Sequence, residues 1–278
     1  MYRYVVADVF TGTPLEGNPV AVFTDAQGIE PQRMQQIARE FNLSETVFVL
    51  PAGGRGDARI RIFTPAAELP FAGHPVLGTA VVLSEETATG TIRLETGAGM
   101  IRVDLTRENE RITSGRMQQP IPAWEPYEQA GDLLAALGVT SSELPVEVYR
   151  NGPRHVYVAL ASEQEVAALR PDLGALGRLP GVGVVCFAGA GTRWKARNFA
   201  PALGVPEDPA TGSAAGPLAV HLARHGRIAF GQEIEISQGA EISRPSTLYS
   251  RATAEGDRIG SVEVAGPVVI VARGEFDA

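Results

Sequence analysis

Two loops spaced by half the chain resemble each other, in a weak internal repeat. Pro70-Phe71-Ala72-Gly73-His74-Pro75-Val76 and Pro209-Ala210-Thr211-Gly212-Ser213-Ala214-Ala215 lie 139 positions apart in a sequence of 278 residues. A second pair, Glu95-Thr96-Gly97-Ala98 and Ser237-Gln238-Gly239-Ala240, keeps nearly the same spacing, at 142. A repeat at the half-length points to duplication, with each half built as the same supersecondary unit. Residues 119–127 are Pro-rich and lack periodicity. The halves are therefore expected at 1–118 and 128–278, with a linker between them.

Each half is dominated by short alternating runs. Residues 2–10, 20–23, 46–50, 58–63, 91–95 and 101–105 read as strands, as do 146–149, 155–160, 183–187, 194–199, 233–237, 261–264 and 268–272. Pro31 suits a helix start, and Met34, Ile37, Ala38 and Phe41 follow at helical spacing. Residues 75–83 and 214–225 follow the repeated loops and are apolar and rich in small side chains, which predicts buried helices. Gly226 is placed to end the second of them. The class is α+β, with strands in excess.

The charge balance narrows the function. Against 32 acidic residues stand 24 Lys and Arg, a formal charge of −8. Such a surface repels nucleic acid and anionic membrane, so neither is expected as a partner. The first residues show no basic region followed by an apolar run, and no window is apolar for the length of a membrane span; the expected location is the cytoplasm. Cys186 is the only cysteine, which excludes an internal disulfide and a two-thiol racemase. Gly189-Ala190-Gly191 lacks the third glycine of a dinucleotide site, and no P-loop is present, so no cofactor is expected.

A small carboxylated substrate would need a local positive site within this acidic chain. The repeated loops could supply one. Each places Gly, then His or Ser, at the start of an apolar helix, where backbone N–H groups lack partners and carry partial positive charge. Two such ends facing each other would hold a carboxylate, with Gly73 and Gly212 allowing close approach. The plainer alternative is a pair of ordinary helix starts, with Ser213 as a cap. His74 lies inside the first loop and is the best acid/base candidate among the histidines. His221 and His225 are spaced as on a metal-binding helix but lack the glutamate that zinc proteases place after the first histidine, so no metal is expected. His155 lies in a strand run and reads as structural. Glu45 is either a solvated strand end or a carboxylate at a cleft wall, and Asp208 either favours a helix start or faces ligand.

At these positions the chain resembles a known family. Glu16-Gly17-Asn18-Pro19-Val20-Ala21-Val22-Phe23, Leu43-Ser44-Glu45-Thr46, Glu68-Leu69-Pro70-Phe71-Ala72-Gly73-His74-Pro75 and Glu207-Asp208-Pro209-Ala210-Thr211-Gly212-Ser213-Ala214-Ala215-Gly216 resemble the phenazine-biosynthesis isomerases of the PhzF type. Gln118-Gln119-Pro120-Ile121-Pro122, Asn151-Gly152-Pro153-Arg154-His155, Cys186-Phe187-Ala188-Gly189-Ala190-Gly191 and His221-Leu222-Ala223-Arg224-His225-Gly226 are similar to the phenazine-pathway members in particular. The resemblance spans essentially the whole chain. It implies the diaminopimelate-epimerase-like fold: two similar halves, each a β-barrel-like sheet around a central helix, with the active site between them. It further implies cofactor-free isomerisation of trans-2,3-dihydro-3-hydroxyanthranilate to its aminoketone isomer, and a homodimer. Glu45, His74 and Asp208 would be catalytic, and Asn18, Ser44, Gly73, Gly212 and Ser213 would contact substrate. An isomerase or racemase of another small carboxylic acid, and a non-catalytic ligand-binding member, remain as alternatives.

Overall fold

The computed structural model describes residues 1–85, 89–109, 111–179 and 181–277. In chain order the first half runs β1 (Tyr2–Val9), β2 (Asn18–Phe23), α1 (Pro31–Phe41), β3 (Glu45–Leu50), β4 (Ala58–Phe63), β5 (Glu68–Leu69), α2 (Gly73–Ser84), β6 (Thr91–Thr96), β7 (Gly99–Glu108) and β8 (Arg111–Gln118). There follow β9 (Ala123–Pro126), α3 (Ala130–Leu137), β10 (Glu147–Arg150), β11 (Arg154–Ala159), α4 (Glu163–Ala168), α5 (Leu173–Leu176), β12 (Gly183–Ala190), β13 (Arg193–Ala200), β14 (Val205–Asp208), α6 (Gly212–Arg224), β15 (Glu233–Gln238), β16 (Ser246–Glu255) and β17 (Arg258–Phe276).

The pairing repeats element by element. β2 and β3 are parallel across α1, and β11 and β12 are parallel across α4 and α5. β3 turns back on β4, as β12 does on β13. β4 then pairs in parallel with β6, as β13 does with β15, and in both cases a central helix makes the crossover. The sheet closes on itself: β1, β2, β3, β4, β6, β7, β8 and β17 form one circuit, because β17 returns to β1. The second circuit runs from β10 through β11, β12, β13, β15, β16 and β17 to β8, whose chain continues as β9 and pairs with β10. Each barrel thus borrows its last strand from the other half.

Two sequence expectations change in detail. Residues 261–264 and 268–272 belong to one long strand, β17, and Pro267 sits where that strand passes from β8 to β1. A proline is tolerated there because the ladder changes partner at that point. Ala123–Pro126, within the Pro-rich run 119–127, form β9 against β10.

α2 and α6 fill the barrels. Almost every residue of α2 and α6 is buried. A helix buried on all sides needs apolar, small residues throughout, which is what both sequences supply. Pro217 inside α6 removes the hydrogen bond that the Ser213 carbonyl would otherwise accept. Asn151 Nδ2 takes that carbonyl instead, at 2.9 Å, and the Tyr157 hydroxyl donates to the next one, Ala214, at 2.7 Å. Smaller apolar clusters lie outside the barrels, under α1 and under α3, α4 and α5.

Candidate active site

The N-termini of α2 and α6 meet end to end. A Cβ placed on Gly73 would lie 2.5 Å from the Gly212 carbonyl carbon and 2.6 Å from Ser213 N; one on Gly212 would lie 3.1 Å from Gly73 Cα and from His74 N. Glycine is required here for space, since neither residue has positive φ. Neither helix start has a side-chain cap. Ser213 does not cap: it is the second residue of α6, and its Oγ lies 3.1 Å from His155 Nε2. The two positive helix ends therefore converge without a capping side chain.

Around this junction the structure assembles Asn18, Ser44, Glu45, His74, Asp208 and Ser213 with the two glycines. β2 begins at Asn18, whose Nδ2 donates to Asp208 Oδ1 at 2.8 Å and Ala210 O at 2.9 Å, and lies 3.1 Å from His74 Nδ1. The other ring nitrogen, Nε2, faces Glu45 Oε2 at 3.4 Å. Glu45 opens β3 beside Val20 of β2, so the parallel crossover through α1 is what delivers it. Asp208 ends β14 and also accepts from Ser44 Oγ at 3.2 Å. The first half thus supplies Asn18, Ser44, Glu45 and His74, and the second supplies Asp208 and Ser213.

Burial sets the protonation states. His74 is pushed down to about 3 by burial and is a neutral imidazole at physiological pH. Burial, then the neighbouring Asp208, lifts Glu45 well above the usual carboxyl range. Asp208 is lifted by burial to about 6, less than it would be without the Thr211, Asn18 and Ser44 donors. Glu45 Oε2 and His74 Nε2 are both buried without a hydrogen-bond partner among the described residues. A carboxyl held this way can accept or deliver a proton, beside a neutral imidazole and a site for an anion.

His155, read as structural from its strand setting, also reaches the junction; burial holds it at about 4, so it too is neutral. Nothing local in the sequence marks it, because its partner lies 58 residues away. His221 and His225 lie at the far end of α6. Each turns a ring nitrogen to Glu147 Oε2 at 3.1 Å, but Arg224 donates to that same oxygen at 2.8 Å and supplies the cation. Among the described residues no helix is long and apolar enough to cross a membrane.

The comparisons with known proteins agree with this geometry. The phenazine biosynthesis-like protein family (PhzC-PhzF) matches residues 7–274. The chain belongs to this family. The trans-2,3-dihydro-3-hydroxyanthranilate isomerase of Pseudomonas aeruginosa is 56% identical over 274 residues, covering 99% of each chain. That of Pseudomonas fluorescens is 53% identical with the same coverage. Among solved structures, a PhzF-family protein of Bacillus anthracis shares the fold with a TM-score of 0.86 at 24% identity, covering 100% of this chain and 99% of its own.

Proposed function

We propose that this chain isomerises trans-2,3-dihydro-3-hydroxyanthranilate to its aminoketone isomer by acid/base proton transfer that draws on no cofactor. The observation that carries the chemistry is the carboxyl of Glu45, whose Oε2 is buried without a hydrogen bond among the described residues and lies 3.4 Å from His74 Nε2, beside two uncapped helix ends. The full-length identity to isomerases of this substrate supports the choice of substrate.

The substrate is a cyclohexadiene bearing a carboxylate, an amine and a hydroxyl. The N–H groups at Gly73, Gly212 and Ser213 hold the carboxylate. Ionised Glu45 takes the proton from C3; the C3–H electron pair moves into the ring; the same proton then forms a bond at C1. Glu45 is regenerated, and the enol left at C3 tautomerises to the ketone. A raised pKa makes Glu45 a stronger base than an ordinary carboxylate and keeps it competent as the acid that returns the proton. His74 and Asp208 bind the hydroxyl and amine. Asn18 has its N–H groups committed to protein and offers only Oδ1, while Ser44 steadies Asp208. His74 is 2% and Asp208 8% exposed, so a ring-sized substrate enters only when the halves part. Closure then excludes water and adds orientation to the roughly 10²–10⁴-fold that acid/base catalysis supplies.

The test is NMR of the purified protein with this substrate in D₂O, with nothing else added. Loss of substrate with a new C1 signal is expected, and retained hydrogen at C1 would mark a transfer shielded from solvent. A folded sample that leaves the substrate unchanged sinks the assignment and points to another small carboxylic acid. The same reading includes a homodimer in the cytoplasm; sedimentation returning a monomer at micromolar concentration would refute the dimer.

A further inference from the structure

Thr211 stands at the cap position of α6, where a threonine hydroxyl ordinarily accepts a backbone N–H of the first turn. Here it makes no such bond. Its Oγ1 donates instead to Asp208 Oδ2, at 2.6 Å. A hydroxyl has one proton and two acceptor sites. Both acceptor sites are filled by amides: Asn198 Nδ2 at 2.9 Å and Gln238 Nε2 at 3.1 Å. Gln238 cannot reverse its amide without loss, because its Nε2 also donates to the Asp208 carbonyl at 2.8 Å while its Oε1 accepts from Thr211 N at 3.2 Å. With two donors pressed on its oxygen, the Thr211 hydroxyl can only donate outward, and the short contact is that of a hydroxyl on a charged carboxylate. Thr211, Asn198 and Gln238 are all buried, so water does not compete for these groups.

We propose that Thr211 is a positioning residue, which through its bond to Oδ2 holds Asp208 ionised and oriented as the acceptor for the substrate's hydroxyl and amine. This rests on the isomerase reading for its purpose, but not for its geometry. Asp208 accepts three side-chain donors: Thr211 on one oxygen, Asn18 and Ser44 on the other. Hydrogen bonds to the charged form favour it, so these three donors hold Asp208 toward its charged form. The other ionisable groups facing Asp208 do not outweigh them. Glu207 beside it on β14 pushes Asp208 upward, but by less than each of the three donors, and is itself paired with Arg197 of β13, with Nη2 2.8 Å from Oε2. His74 of α2 is neutral and touches it only through Asn18, and His155 of β11 is neutral and turned to Ser213. Diverting the hydroxyl to Asp208 has a second consequence: the N–H groups at the start of α6 stay uncapped for an anionic ligand.

The test compares Thr211→Val, which keeps shape but loses the hydroxyl, with Thr211→Ser, which keeps it. The readout is the titration of ¹³C-labelled Asp carboxyls by NMR in the free protein, with Asp208 assigned from Asp208→Asn. In Thr211→Val the Asp208 midpoint is expected to rise by about one pH unit, the size of one hydrogen bond to a charged group. In Thr211→Ser it is expected to stay at the wild-type value. An unmoved midpoint in Thr211→Val, or an equal rise in Thr211→Ser, overturns the proposal. If Thr211→Val does not fold, Thr211→Ala gives the same reading. Because the titration needs no turnover, a wild-type protein inactive on the dihydro-hydroxyanthranilate would sink the isomerase reading and leave this one to be decided by the midpoints.

Discussion

Glu45→Gln is expected to lower turnover by about 10²–10⁴-fold or more, the usual range for removing a general acid/base group. Glutamine keeps the size of the side chain but can neither take nor return a proton at neutral pH. Binding should survive, because the anion site is made of backbone N–H groups at Gly73 and Gly212, and the His74 ring still faces position 45. Turnover in the NMR assay and calorimetry with an aromatic analogue bearing the same carboxylate, amine and hydroxyl separate the two effects. Turnover near the wild-type rate removes Glu45 from the mechanism. The same variant carries a stability signature. Glu45 is raised above its ordinary value of 4.5, chiefly by burial, so between that pH and its folded value the native state binds more protons than the unfolded chain. Wild-type stability is then greatest below about 4.5 on this account and is lost as pH rises through the folded value. Glutamine has no such slope. The melting temperature of Glu45→Gln should gain on the wild type from pH 5 to pH 8; parallel curves would mean that Glu45 is not a buried acid.

How far the sequence reaches is clearest at the central helices. The repeated loops, the apolar runs behind them and the alternating strands gave both barrels their main elements, because each of those signals is local. β16 escaped notice for a physical reason: its inward face is Ser246, Leu248, Ser250 and Ala252, so inside and outside differ little in hydropathy. β8 likewise turns Gly115 toward Leu77, and Ile112 and Met117 are its only large apolar residues. β9 hides among prolines. The exchange of last strands between the barrels has no local signature at all, since it depends on where β17 goes after Pro267. The site divides in the same way. Gly73, His74, Gly212 and Ser213 sit in the repeat itself and were visible as a pair. Glu45 and Asn18 stood out only through resemblance, for a carboxylate before an apolar strand is usually a solvated strand end. Asn198 and Gln238 could not be found: they act on Thr211 from β13 and β15, and no spacing along the chain reports that contact.

Gly73→Ala should do damage out of proportion to one methyl group. In a helix, alanine ordinarily improves on glycine by about 1 kcal/mol. Nothing in the backbone forbids it here, since Gly73 has no positive φ. The obstacle is the other barrel: the new Cβ would meet the Gly212 carbonyl carbon at 2.5 Å and Ser213 N at 2.6 Å, and these are backbone atoms with no rotamer to change. The two helix ends must therefore move apart. Overpacking of this kind costs about 1–3 kcal/mol, enough to reverse the propensity gain. Glu45 and His74 would move with the first barrel, Asp208 and Ser213 with the second. A displacement near 1 Å between groups that must act together costs about 10²-fold in rate. Gly212→Ala provides the comparison, because its Cβ meets the Phe10 ring edge at 2.9 Å and backbone atoms only at 3.1 Å. The expected order is Gly73→Ala well below Gly212→Ala, and Gly212→Ala below wild type, both in kcat and in melting temperature. If Gly73→Ala turned over like the wild type, the facing helix ends would not be the element that fixes the site.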